Sequence, residues 1–294
     1  MKRLLLAAFA ASLAFAQQDF SQVQIKTTKI SNNFYTLEGS GGMIGVLVGP
    51  DGVFMVDTQY AQLTDKIVAA IKAITPQPIK YVVNTHQHPD HTGGNENFAK
   101  LGATLMTRPE LRYRLAHPNP GANGQPGASA PAGALAKITY SGVTTFYMNG
   151  EEIQLIPIPS AHTDGDTLVR FVNNDVLMVG DFYRSIQYPN IDRANGGSAQ
   201  GMLDGLGWVI GQAGANTKII PGHGATVNRD AVEAHRDMML ALRAKVNAMV
   251  AQGKTAAEIT AAKLTAEFDS KVKEVGTTGD RFIGQLVAEA QAGK

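Results

Sequence analysis

Four residues that bind metals well lie within six positions of the chain, in the segment His86-Gln87-His88-Pro89-Asp90-His91. The segment directly follows Tyr81-Val82-Val83, an apolar run typical of a short buried strand. Imidazole and carboxylate groups suit zinc, and they also suit iron or manganese. The spacing of His86 and His88 lets both imidazoles face one metal, whereas Asp90 and His91 can turn towards a second. The pattern predicts a metal site at a strand end of a layered β-α fold.

Three further ligand candidates lie just past apolar runs, namely His162, Asp181 and His223. The chain has seven histidines, three of them inside the first cluster, which argues against a chance grouping on the surface. It has no cysteine, so thiolates are excluded as ligands and as nucleophiles.

Strand-like and helix-like patterns alternate along the chain. Strands are predicted at Val23–Ile30, Phe34–Leu37, Ile44–Val48, Val53–Val56, Tyr81–Val83, Ala103–Met106, Thr144–Met148, Ile153–Ile158, Leu168–Val172, Val176–Val179 and Lys218–Ile220. Helices are predicted at Leu63–Ile74, as a short helix after Gly93-Gly94, at Met202–Gln212 and from Arg229 to about Val250, with broken helical structure beyond. Twice, a strand followed by an aspartate leads through a helix to a strand that ends near a histidine: Asp57 with His86, and Asp181 with His223. This echo predicts two β-α layers packed sheet on sheet, with helices outside.

Other residues have weaker assignments. The segment Pro118–Gly133, rich in Gly, Pro, Ala and Ser, is predicted to be a long flexible loop and a candidate lid. Asp57 is expected to have a structural hydrogen-bonding role, and Asp164 and Asp166 either orient imidazoles or cap their own turn. His117 is expected at the surface, His235 on a helix face and Trp208 in the core. Tyr60, Tyr183 and Tyr188 are candidates for lining a pocket, and the last two are candidate substrate contacts.

The first sixteen residues have the pattern of a signal peptide. Lys2 and Arg3 precede the apolar run Leu4–Ala14, and Ala14-Phe15-Ala16 fits a signal-peptidase site. Residues 17–294 are then expected to form one domain with a helical C-terminal segment, exported to the periplasm or secreted. An uncleaved membrane anchor is the less favoured reading, because the apolar run is short. Cleavage would change the formal net charge from +1 to −1. A chain with a net charge near zero lacks the excess of basic residues that is typical of nucleic-acid-binding proteins.

The motifs together resemble those of the metallo-β-lactamase superfamily of metallohydrolases. That pattern is His-x-His-x-Asp-His, a lone His, a Gly-Asp after a strand and a His in a Gly-His turn, and all appear in order from residue 86 to 223. The resemblance implies an α/β (α+β) fold, a four-layer αββα sandwich. It also implies that His86, His88 and His162 bind one Zn²⁺, that Asp90, His91 and His223 bind a second, and that Asp181 bridges them. Iron or manganese remains an alternative metal.

The same resemblance implies a hydrolytic reaction. Two metals hold a hydroxide that attacks a polarised carbonyl or phosphoryl centre, and Asp90 is the catalytic residue that orients this nucleophile.

The favoured substrate is a small molecule, a β-lactam or a related cyclic amide or ester, and export supports it because β-lactams act in the periplasm. One feature argues against a dedicated β-lactamase, since the cysteine-free subclass usually lacks the bridging aspartate that Asp181 supplies. The full ligand set resembles glyoxalase II-like thioesterases and lactonases, so a thioester or lactone is the main alternative. Phosphodiester cleavage fits the charge poorly, and a non-catalytic metal-binding protein is disfavoured by the complete ligand set. Oligomeric state stays open.

Overall fold

The computed structural model describes residues 19–120, 124–185, 187–272 and 277–292, which form two β-sheets with helices against their outer faces. The larger sheet has seven strands in chain order: β1 (Lys26–Lys29), β2 (Phe34–Glu38), β3 (Ile44–Leu47), β4 (Val53–Val56), β5 (Ile79–Val83), β6 (Thr104–Thr107) and β7 (Ile138–Thr139). The smaller sheet has the order β12-β11-β10-β9-β8, formed by β8 (Thr144–Met148), β9 (Glu151–Pro157), β10 (Thr167–Phe171), β11 (Val176–Met178) and β12 (Lys218–Ile220).

The helices divide between the two outer layers. The α-helices are α1 (Thr64–Ile74), α2 (Pro89–Thr92), α3 (Asn95–Lys100), α4 (Pro109–Ala116), α5 (Ala199–Gln212), α6 (Arg229–Ala251), α7 (Ala256–Ala261) and α8 (Gly279–Ala292). Short 3₁₀ turns lie at Ala61–Leu63, Ala132–Ala134, Gly180–Phe182, Arg193–Asn195 and Asp269–Lys271. Within the described residues no helix is long and apolar enough to cross a membrane. The predicted signal peptide, residues 1–16, lies outside the described residues.

Three apolar cores separate four layers. In β4, Phe54 and Val56 face the core between the two sheets, whereas Val53 and Met55 face the core beneath α1 and α3. The alternation follows from the two-residue period of a strand that is covered on both faces. On the opposite side, a third core joins the smaller sheet to α5, α6 and α8, and the partly buried Trp208 packs against it. The four-layer αββα sandwich expected from the sequence is therefore confirmed.

The predicted echo between the two halves is also present. Strand β4 connects through α1 to the parallel strand β5, and β11 connects through α5 to the parallel strand β12. Three elements were not predicted, α2, α4 and β7. The helix α4 has few apolar residues and buries only Leu111, so periodicity gave no signal for it.

Candidate metal centre

All seven predicted ligands lie along one rim of the sandwich, Asp90 and His91 in the short helix α2 and the other five in loops or turns. His86 follows β5, Asp181 follows β11 and His223 follows β12, while His162 lies between β9 and β10. Because β4, β5 and β6 are parallel to one another and β11 is parallel to β12, the carboxyl ends in each set meet at one sheet edge. That edge is where open β-α sheets place their ligand sites.

The first group of ligand atoms comes from His86, His88, His162 and Asp181, and lies within 4.8 Å. His88 Nδ1 is 3.1 Å from His86 Nε2 and 3.0 Å from His162 Nε2. Asp181 Oδ2 is 3.9 Å from His86 Nε2 and 3.8 Å from His162 Nε2. A tetrahedral zinc with bonds of about 2.0–2.1 Å places its ligand atoms about 3.3 Å apart. The group therefore has dimensions close to those of one metal site.

The second group comprises Asp90, His91 and His223, again with ligand atoms within 4.8 Å of one another. His223 Nε2 is 3.2 Å from Asp90 Oδ2 and 3.4 Å from His91 Nε2. Asp181 Oδ1 lies 3.3 Å from both His91 Nε2 and His223 Nε2. Asp181 thus directs one oxygen to each group, which is the arrangement of a bridging carboxylate.

Groups outside the two clusters hold the imidazoles in orientation. Asn190 O is 2.6 Å from His162 Nδ1, Asp192 Oδ2 is 2.8 Å from His88 Nε2, and Asp57 Oδ2 is 2.7 Å from His91 Nδ1. An acceptor at one ring nitrogen fixes the proton there and leaves the lone pair of the other nitrogen facing the cluster.

Asp57 has the structural role expected for it. It is 1% exposed and has a left-handed φ of 62°, a conformation that Asp tolerates better than most residues. Its Oδ1 accepts the Thr85 amide N–H at 2.7 Å, and its Oδ2 accepts the Thr85 hydroxyl at 2.7 Å as well as the His91 contact. The side chain therefore ties the end of β4 to the ligand loop after β5.

Two glycines allow the backbone to approach the ligands closely. A Cβ on Gly42 would lie 2.1 Å from His91 Cε1, and a Cβ on Gly222 would lie 1.9 Å from Asp181 Oδ1. The Met43 amide donates to Gly222 O at 2.8 Å, so the two glycine segments also hold each other. A side chain larger than that of glycine at either position would therefore collide with a predicted metal ligand.

The two ligand groups differ in the charge state that their surroundings favour. Burial lowers the pKa of His162 to about 4 and holds the pKa of His86 well below its usual value. Both imidazoles are therefore neutral and can offer a nitrogen lone pair to a metal. Burial also opposes the charge on His91, but the carboxylates of Asp181 and Asp57 outweigh it and hold its pKa well above the usual value. In the same way, contacts with His223 and His91 outweigh the burial of Asp90 and lower its pKa to about 2. The second group thus stabilises positive charge.

The donor set fits a pair of metal ions. Asp181 Oδ1 is buried and makes no hydrogen bond of normal geometry, although two imidazole nitrogens lie 3.3 Å away. Atoms that converge in this way without pairing with one another are positioned as ligands of a common cation. The nitrogen and oxygen donors suit zinc, iron or manganese.

The structure corrects two predicted substrate contacts. Tyr188 has no exposed surface, stacks on Phe282 and donates its hydroxyl to Asp269 Oδ1 at 2.6 Å, so it belongs to the core beneath α8. Tyr183 is 4% exposed and packs edge-on against His235. Burial raises the pKa of Tyr183 to about 12, so its hydroxyl stays protonated. Aromatic residues near a ligand motif suggested a pocket, but tertiary packing placed both in the interior.

The two open assignments in the His162 loop resolve in favour of structural roles. Asp166 accepts the Thr163 amide N–H at 2.9 Å and the Thr163 hydroxyl at 2.6 Å, which caps its own turn. Asp164 accepts from Arg114 Nη2 at 2.6 Å and so anchors α4. His117 is exposed and stacks on a neighbouring tyrosine, as expected of a surface residue.

Sequence reasoning missed two residues of the site. Asp192 orients His88 from the loop between β11 and α5, and nothing in its local pattern marks it. Arg184 Nε lies 3.2 Å from Asp181 Oδ2, and its Nη1 donates to Gln187 at 2.8 Å. A basic residue three positions after Asp181 was the signal that could have identified Arg184.

Two cavities flank the metal centre. One of about 550 Å³ adjoins His88, and its walls include the described parts of the Pro118–Gly133 loop. The other, of about 520 Å³, adjoins His223. Both volumes suit a small-molecule ligand. Residues 121–123 of the loop lie outside the described residues, and its action as a lid remains a prediction.

Comparison with known proteins gives one family and several similar folds. The family model described as the metallo-beta-lactamase superfamily matches residues 38–241. A metallo-beta-lactamase from Pontibacter korlensis is 18% identical with a TM-score of 0.62, over 74% of this chain and 99% of that one. The DIM-1 metallo-beta-lactamase is 17% identical with a TM-score of 0.61, over 74% and 99%. The sec-alkylsulfatase Pisa1 from Pseudomonas sp. is 17% identical with a TM-score of 0.70, over 90% of this chain but 50% of that one.

Proposed function

The chain belongs to the metallo-β-lactamase superfamily of hydrolases, and from this premise we propose that it is a dinuclear zinc hydrolase that opens β-lactams or related cyclic amides and esters. The observation that carries the proposal is Asp181, whose two oxygens face the two ligand groups. A carboxylate in this position serves two metals at once. This position supports a pair of metals rather than one structural ion.

The residues divide the work of hydrolysis. His86, His88 and His162 would hold one metal, Asp90, His91 and His223 the other, and Asp181 both. A pair of metals held there would make hydroxide available at neutral pH and would polarise a carbonyl. The Asp90 side chain is 19% exposed and its pKa is about 2, so it is ionised and accessible to solvent at neutral pH. It can therefore accept a hydrogen bond from the attacking water and orient it.

The surroundings of the centre favour a small anionic substrate. Arg184 is 13% exposed beside Asp181 and provides a cation at the rim. β-Lactams carry a carboxylate next to the ring, and a guanidinium pairs with such a group. A substrate lying across the two metals would extend into the cavities beside His88 and His223.

A second candidate function is hydrolysis of an open or cyclic ester, including thioesters and lactones. The same bridging position of Asp181 favours it, because the full set with this aspartate resembles the lactonases and glyoxalase II-like thioesterases. Both candidates use the same metal centre and differ in the bond that is cleaved.

We also propose that the protein works outside the cytoplasm. The support is the signal-peptide pattern of residues 1–16. N-terminal sequencing of protein purified from the periplasm or the medium should begin at Gln17. A chain that keeps Met1 there would contradict cleavage.

The test is a hydrolysis screen on mature protein of measured metal content, with and without chelator. The substrates are a chromogenic cephalosporin, a simple lactone, a thioester and a bis-aryl phosphodiester. Rapid chelator-sensitive opening of the cephalosporin supports the first candidate, and lactone or thioester turnover without it supports the second. Turnover of the phosphodiester alone, or of nothing by metal-loaded protein, would refute both.

Variants test the assignment of the site. His88→Ala and Asp90→Asn should abolish turnover while the protein stays folded by circular dichroism. His117→Ala is the matched control, because this exposed histidine lies outside both ligand groups. Near-normal activity in either site variant would show that the metal assignment is wrong.

A further inference from the structure

The loop between β11 and α5 orients two histidines of the first ligand group from the short segment of residues 190–192. Asn190 O faces His162 Nδ1 at 2.6 Å, and Asp192 Oδ2 faces His88 Nε2 at 2.8 Å. The Asp192 amide N–H also donates to His162 O at 2.9 Å. A shift of this segment would therefore move both acceptors away from their imidazoles.

The segment is bound by one side chain of the C-terminal helix α8, the half-buried Gln285. Gln285 Oε1 accepts the Ile191 amide N–H at 3.0 Å, and Gln285 Nε2 donates to Asn190 Oδ1 at 3.0 Å. Because a backbone N–H can only donate, the contact with Ile191 fixes which end of the carboxamide faces Asn190. Residues 190–192 lie outside every strand and helix, so no regular backbone hydrogen-bond pattern fixes their position and contacts of this kind must do so.

The helix α8 is a firm support for this contact. Its buried side chains, among them Phe282 and Leu286, pack into the core that joins the smaller sheet to α5 and α6. Ile191 is 2% exposed and belongs to the same core. Apolar packing has no preferred direction, whereas hydrogen bonds do. The core therefore holds the segment against α8, and the two hydrogen bonds of Gln285 set how its backbone faces the ligands.

We propose that Gln285 is a positioning residue for the first metal, acting through residues 190–192 on His162 and His88. Groups that orient metal-binding histidines typically change metal affinity about 10–100-fold when they are lost. Gln285 acts one contact further out, so its loss should weaken the first group about tenfold, at the lower end of that range. The second group should change little. This role rests on the metal assignment of the proposed function, and it holds for either candidate substrate.

Zinc affinity, measured for each ligand group separately by competition with a chromogenic chelator, tests the proposal without turnover. His223→Ala disables the second group and leaves the first, whereas His88→Ala does the reverse. Gln285→Met keeps an unbranched side chain of similar length and removes both hydrogen bonds. Added to His223→Ala, it should weaken zinc binding about tenfold. Added to His88→Ala, it should have little effect.

The ring N–H of His162 gives a spectroscopic signature of its orientation. In zinc-saturated protein with ¹⁵N-labelled histidine, the proton on Nδ1, held 2.6 Å from Asn190 O, should resonate downfield and exchange slowly with water. In Gln285→Met it should move upfield and exchange faster, because saturating zinc restores occupancy of the site but not the position of Asn190.

Three variants separate positioning from general stability. Val287→Ala removes apolar contacts of the same helix, so it should lower Tm but leave zinc affinity and the His162 signal as in the wild type. Gln285→Glu keeps the acceptor for the Ile191 amide, and Asn190 can turn to donate its NH₂ group, so most of the affinity should return. Asn190→Ala, which removes one partner of Gln285 but keeps the backbone carbonyl, should weaken the first group in the same direction and serves if Gln285→Met does not fold.

The outcomes distinguish this role from the proposed function. Unchanged zinc affinity of the first group or an unchanged His162 signal in Gln285→Met would overturn the role of Gln285, even if substrates are hydrolysed. An equal loss in both groups, or the same loss in Val287→Ala, would overturn it as well, since Gln285 would then act through stability alone. Zinc binding that depends on Gln285, without chelator-sensitive hydrolysis of any substrate, would support the role and refute the proposed function. Wild-type protein that binds no zinc would refute both.

Discussion

Replacing Asp57 by Asn tests whether a carboxylate outside the ligand groups controls metal binding. The substitution keeps the size of the side chain, and Asn tolerates the left-handed φ of 62° as well as Asp does. It also keeps the acceptor for the Thr85 amide N–H. It replaces the oxygen facing the Thr85 hydroxyl and His91 Nδ1, each at 2.7 Å, by an NH₂ group. Two charge-assisted hydrogen bonds are therefore lost.

The expected magnitudes follow from these contacts. Hydrogen bonds to charged groups contribute about 1.5–3 kcal/mol each, so the free energy of unfolding should fall by about 3–6 kcal/mol. For a domain of this size each kcal/mol lowers Tm by about 2–4 °C, which predicts a loss of about 6–24 °C. An NH₂ group facing Nδ1 of His91 favours the proton on Nε2, the atom that faces the ligand group. Affinity for the second metal should then fall about 10–100-fold.

Calorimetry with and without chelator measures the change in stability, and competition with a chromogenic chelator measures metal affinity. Asp164→Asn is the control, because Asp164 pairs with Arg114 and contacts the site only through the backbone of its loop. It should change Tm by only a few degrees and leave metal affinity unchanged. An Asp57→Asn protein with wild-type Tm and two tightly bound metals would refute the reasoning.

Three further changes have defined outcomes. Gly222→Ala would place a methyl group 1.9 Å from a carboxylate oxygen of the site and should reduce metal content and turnover. The control Gly207→Ala, at an exposed helix position with nothing within 4 Å, should change neither. Equal metal content in the two variants would contradict the packing argument. Asp192→Asn removes a carboxylate 2.8 Å from His88 and should weaken the first metal about tenfold or more in chelator competition, and no change would contradict its positioning role. Burial lowers the pKa of His235 to about 4, so its neutral form stabilises the fold above pH 6.5 and this contribution is lost as pH falls towards 4. The drop in Tm across that range should be smaller in His235→Phe, and an identical drop would show that His235 does not contribute.

The pattern of the chain predicted much of the architecture. The repeated order of strand, helix and strand in the two halves predicted two sheets packed face to face with helices outside, and the three cores confirm this arrangement. The helix α1 lies within one residue of its predicted bounds, because apolar residues recur at helical spacing. By contrast, α4 is mostly polar on its exposed face and is held by the Arg114–Asp164 ion pair, which local periodicity does not encode.

Residue types and spacing alone determined the candidate ligands, because imidazoles and carboxylates placed just after apolar strands have few structural uses in such number. The tertiary structure alone decided how they are held. Asp192 and Arg184 reach the centre from a loop that is distant in sequence from the first histidine cluster. The tertiary structure also placed Tyr188 in the core, because burial of an aromatic side chain stabilises the fold more than exposure at a rim. Contacts between distant segments depend on the packing of whole layers, so no local pattern can specify them.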